Sequence, residues 1–132
     1  SMLPSYDDIA SSLTSRSVTL LLDVDAPLLV AHFSEFDSID RRRPSIVMQP
    51  ASPLKHNTTY AVAVVAAVGS DGILLPPSAG LTQLLALNAS VGAEDSDLER
   101  SSFYRHKVIP TLQTVAPWTG EASSVIQMLF DF

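Results

Sequence analysis

The chain has 132 residues, 46% hydrophobic and 17% charged, the composition of one ordinary globular domain rather than a disordered segment. A formal charge of −6 and an isoelectric point near 4.7 argue against nucleic acid as a partner, because phosphate binding needs a surplus of Lys and Arg. The lack of cysteine excludes disulfide scaffolds, cysteine-ligated zinc and thiol catalysis. The longest apolar run, Ala61 to Val68, is eight residues. A spanning helix needs about 20, so no membrane insertion is expected. No signal peptide is visible, and Ser1 ahead of Met2 suggests a segment excised from a larger protein, with any targeting signal outside it.

In chain order, Ser5 with Asp8 three residues on predicts a capped helical turn or two, with Ile9 and Leu13 on its buried side. Ser17 to Val24 and Leu28 to Phe33 are rich in Val, Leu and Thr and read as a hairpin around Asp25-Ala26-Pro27. Ser34 to Pro44 is polar and reads as a loop carrying the basic triplet Arg41-Arg42-Arg43; Ser45 to Gln49 is a short strand broken by Pro50. Thr59 to Val68 has almost no polar face, which predicts a central strand buried on both sides. The Ser70-Asp71-Gly72 turn returns it to a short partner, Ile73 to Leu75.

After Pro76-Pro77 the pattern turns helical. Ser78 is placed to cap a helix with Leu81, Leu84, Leu85 and Leu87 on its apolar face. Ser96 and Glu99 form a capping box for a second helix, with Tyr104, Val108, Leu112 and Val115 as its stripe and Pro110 as a kink. Ser123 to Phe132 alternates as a closing strand beside an early one, with Ile126, Met128, Phe130 and Phe132 expected to face the core. The expected fold is mainly β: one Ig-like β-sandwich over residues 1–132, with a helical insertion at about 78–115 before its last strand.

The run PASPLKHNTTYAVAVVAAVGSDGILLPPS resembles a phrase of bacterial Ig-like modules, in which a proline-flanked "pL" precedes a "ttY-x-V-x-V" strand and a "D-G" hairpin. SSLTSRSVTLLLDVD, VAHFSEFD and the tail DLERSSFYRHKVIPTLQTVAPWTGEASSVIQMLFDF extend the likeness to most of the chain. It departs at Leu129-Phe130, where the family often has an aromatic before Asp-Phe in another register. The resemblance implies an N-terminal module of large exported proteins, some of which carry lipase-like or α/β-hydrolase domains. It supplies no catalytic residue.

Few residues offer chemistry. His32, Glu35 and Asp37 in HFSEFD are of types that bind metal or move protons, but strand alternation separates His32 from Asp37. The simpler account ends a strand at His32 and uses the carboxylates as local caps. Asp23 and Asp25 lie at strand spacing and, with Asp37 or Asp40, are the weak candidates for calcium. A turn role for Asp25 is simpler. His56 and His106 read as surface residues. No nucleophile elbow or phosphate loop occurs, and no cofactor is called for.

Asn57 and Asn88 begin N-glycosylation triplets in expected loops. Trp118 is either a plug over the end of the sandwich or, with Arg41, Arg42 and Arg43, a loop contact for a partner. Together with the resemblance, which implies the extracellular or cell-surface setting, these features lead to the expectation of a non-catalytic interaction module, binding a neighbouring domain or another protein through its loops and edge strands. The alternatives are an N-terminal accessory domain of a lipase- or esterase-like hydrolase and a calcium-stabilised adhesion module.

Overall fold

A computed structural model describes residues 3–40, 42–82, 113, 115, 117 and 126–132, and is mainly β with antiparallel sheets. Its strands are β1 (Thr19–Asp23), β2 (Leu28–Leu29), β3 (His32–Asp37), β4 (Ser45–Pro50), β5 (Tyr60–Val65) and β6 (Ile126–Asp131). They form a four-stranded sheet of order β2-β1-β5-β6 and a two-stranded sheet of β3 and β4. The expected hairpin exists: Asp23 pairs with Leu28 and Leu22 with Leu29. The LLVAHF run then leaves that sheet, so its last two residues open the other one.

β1 and β5 are the interior strands of the larger sheet, and for β5 this is the central position its doubly apolar sequence predicts. Their register places Leu20 against Ala63 and Leu22 against Ala61 on one face, and Leu21 against Val62 on the other. On the first face, Leu20, Leu22, Ala61, Ala63 and Val65 join Ile126, Leu81 and Val115 in the main core. Leu81 lies in the helical start at 79–82, where its N–H donates to Ser78 Oγ at 3.2 Å, so Ser78 caps as its sequence position implies. Apart from residues 113 and 115, which are helical, the rest of the expected helical block lies outside the described residues. No described helix is long and apolar enough to cross a membrane.

On the second face, Leu21, Tyr60 and Val62 pack with Val30, Met48 and Leu54. His32 and Ser34 of β3 reach Thr19 of β1, while Met48 of β4 lies over Val62 of β5. The smaller sheet therefore covers only the part of this face nearer β1.

Several expectations need correction. The polar stretch 34–37 continues β3, because Phe33 to Asp37 pair with Gln49 to Ser45 and the buried side of the strand is lined by an imidazole and a hydroxyl. Hydrophobic alternation cannot reveal such a strand. Tyr6–Leu13 is a 3₁₀ helix; Ser5 makes no side-chain cap, Asp8 departs from helical angles, and Leu13 is exposed while Ser12 is buried. β6 pairs with β5 rather than with an earlier strand.

The facing of β6 also differs from simple alternation. Val64 opposes Met128 but Val65 opposes Ile126, so Gln127 is the extra residue of a β-bulge. The bulge puts Ile126 on the same core face as Leu129, and leaves Phe130 and Phe132 on the second face, about half exposed. Gln127 is buried because it closes the small 67–75 hairpin, accepting from Ala67 N–H and donating to Leu75 C=O. In that hairpin, Gly69 C=O accepts from Gly72, whose φ of +75° suits glycine.

Candidate functional site

Among the described residues, a chain of buried hydrogen bonds runs where the two sheets meet. His32 and Thr19 are fully buried, and so is Ser12 of the 3₁₀ helix. His32 Nδ1 lies 2.9 Å from Val30 C=O, which can only accept, so Nδ1 carries the proton. Nε2 then accepts from the Thr19 hydroxyl at 3.0 Å, and Thr19 accepts from Ser34 at 2.9 Å. The His32 backbone N–H donates to Ser12 Oγ, whose hydroxyl donates to Ile9 C=O.

Burial pushes the His32 imidazole below its ordinary value of 6.5, against the opposing pull of its bonds to Val30 and Thr19. The ring is thus held neutral, with each nitrogen committed to a structural bond. A general base must reach a substrate proton, and this ring is sealed from solvent.

The metal candidates do not converge. His32 faces inward, whereas Glu35 is exposed on the opposite face of β3 with Asp37. Asp37 Oδ1 accepts from Ile39 N–H. Asp23 Oδ1 accepts from the N–H groups of Asp25 and Ala26, and Oδ2 pairs with Lys55 Nζ at 3.0 Å. The Lys55 hydrogen bond holds the Asp23 carboxyl below its ordinary range, and Asp23 in turn raises Lys55. Asp25 Oδ2 accepts from Thr59 N–H. Among the described residues, no three metal-ligating side chains share a site.

The loop candidates divide similarly. Arg42 and Arg43 are exposed, and their N–H groups donate to Asp40 Oδ1 and Asp40 C=O in a tight turn. Asn57 is exposed in a turn at φ +51°. His56 is exposed in the same turn. Arg41, Asn88, His106 and Trp118 lie outside the described residues.

Sequence reasoning did not single out the apolar groove between the sheets. Ile46, Met48 and Pro50 of β4 form one wall, and Val62, Phe130 and Phe132 form the floor, around a volume of about 340 Å³. Phe132 stacks on Tyr60 at 5.9 Å between ring centroids. Phe130 tilts against Phe132 at 6.4 Å. Both phenylalanines are expected inside on alternation alone; the bulge at Gln127 is what leaves them at the mouth of a groove, and a glutamine inside an apolar strand was its visible signal. No protein-family model, curated protein or solved structure matches the chain.

Proposed function

We propose that this chain is a non-catalytic interaction module, an Ig-like β-sandwich with a helical insertion, belonging to a larger extracellular or cell-surface protein. The observation that carries the reading is the half-covered face of the four-stranded sheet. Phe130 and Phe132 are exposed there beside Ile46, although the opposite face is packed with buried aliphatic residues. An exposed apolar patch rimmed by polar residues is what a protein-binding surface presents. The internal use of His32 also supports the reading, because the histidine most favourably placed for chemistry is committed to joining the sheets. The likeness to bacterial Ig-like modules supports the external setting and the neighbouring-domain partner.

The test is turnover of ester, phosphoester and glycoside substrates by the purified chain, with photo-crosslinking from benzoylphenylalanine at position 132 in the parent cells. No turnover is expected, and cross-links should map to one recurring segment of protein. Turnover lost in His32→Gln, with the fold retained by circular dichroism, would contradict the reading.

A further inference from the structure

The two outer edges of the smaller sheet are treated differently. On β3, the N–H groups of His32 and Ser34 point away from β4 and are taken by Ser12 Oγ and Pro4 C=O. The residues opposite them, Pro50 and Met48, therefore also form non-hydrogen-bonded pairs and turn their backbone groups away from β3. Alternation gives Ile46, opposite Phe36, the same outward direction. Among the described residues, nothing hydrogen-bonds to this edge of β4.

Between its two prolines the edge lacks a charged guard. Ser45 to Pro50 contains no charged residue, and Ile46 and Val47 are exposed. Pro50 occupies an outward position and has no N–H to offer, and Pro44 shares its parity. The prolines thus bracket a short docking edge made of the N–H and C=O groups of Ile46 and Met48. A strand placed there would lie over Phe130 and Phe132, the exposed part of the larger sheet, with alternate side chains entering the groove beside Met48.

From this geometry we infer that the free edge of β4 and the adjoining groove bind an extended segment of a partner protein, added as a third strand, with apolar side chains on its inner face and basic ones on its outer face. The basic preference follows from charge. Glu35 and Asp37 lie directly across from Val47 and Ser45 on the outer face, and the whole chain carries −6. A second folded copy is disfavoured as the occupant. A two-fold pairing of β4 with itself would bring the copy's four-stranded sheet into the layer that β5 and β6 already fill, and would oppose two chains of like charge.

The inference rests on the reading of the chain as an interaction module, but the two fail separately: turnover that depends on His32 would overturn that reading, whereas the following experiment bears on the edge alone. The probe is a synthetic nine-residue peptide with valine at alternate positions and lysine or threonine between. Controls carry the same residues with valines clustered, glutamate in place of lysine, or N-methyl groups on the edge-facing amides. Titration is followed by amide hydrogen exchange.

The alternating probe should slow exchange at Ile46 and Met48 at least tenfold at saturation. Ile46→Pro, which removes one outward N–H, and Phe130→Asp, which charges the groove floor, should each weaken binding at least tenfold with the thermal midpoint retained. The glutamate and N-methyl controls should bind at least fivefold more weakly. Equal binding of all four peptides would overturn the proposal, as would no exchange change at the two amides. Protection of both amides in the free monomer would overturn it in favour of another segment of this chain. Concentration-dependent dimerisation abolished by Ile46→Pro would overturn it in favour of a second copy.

Discussion

The two faces of the four-stranded sheet are built to different specifications. One is closed by aliphatic residues: Leu20, Leu22, Ala61, Ala63 and Val65 meet Leu81, Val115 and Ile126, and Leu22 is 1% exposed. The other is closed over β1 by a polar chain through Thr19, His32 and Ser34, and over β5 by Met48 and Leu54; towards β6 it is open, with Phe132 58% exposed. The difference separates what folds the protein from what it can present. Buried aliphatic area supplies the stability, the hydroxyl–imidazole chain fixes where the second sheet sits, and the exposed remainder is the surface on which the proposed binding rests.

The contrast breaks most visibly at Leu22. Leu22→Ala should cost about 3 kcal/mol in urea unfolding, because it leaves a cavity in the closed face. Thr19→Val keeps the shape but leaves His32 Nε2 and the Ser34 hydroxyl without their buried partner, so about 2 kcal/mol should be lost by the same assay.

Acid should weaken the polar join next. The His32 value is depressed in the folded protein, so the unfolded chain takes up the proton first. Its contribution is complete above the ordinary value of 6.5 and is lost as pH falls from there through the lower folded value. Asp23, also depressed, contributes above its ordinary value of 3.8 and is lost as pH falls below that, and Lys55→Met should flatten that second step. Unfolding midpoints taken from pH 8 to pH 3 check both. The smallest effect belongs to the open face: Phe132→Ala should cost only about 1 kcal/mol, since its ring is already largely in water. A loss there as large as at Leu22 would erase the distinction between the faces.

The closed face was legible in the sequence. The YAVAVV run declares a strand buried on both sides, the TLLLD run declares a strand, and the Asp-Pro turn and Asp71-Gly72 place the chain reversals. The open face was much less so. β3 hides because its inward residues are polar, and their partners, Ser12 and Thr19, stand 20 and 13 residues away in sequence. The groove hides because one bulged glutamine shifts the facing of β6, an effect that depends on its pairing with β5. The separation of His32 from Asp37 by alternation was legible; what was not is that the strand continues from His32 through Asp37 instead of ending at the histidine.

The most direct measurement is amide hydrogen exchange in the free protein, comparing the two outer edges of the β3–β4 sheet. The His32 and Ser34 amides, held by Ser12 and Pro4, should exchange slowly, and those of Ile46 and Met48 at least tenfold faster. Equal protection of the two edges would contradict the account, because the edge of β4 would then already be covered.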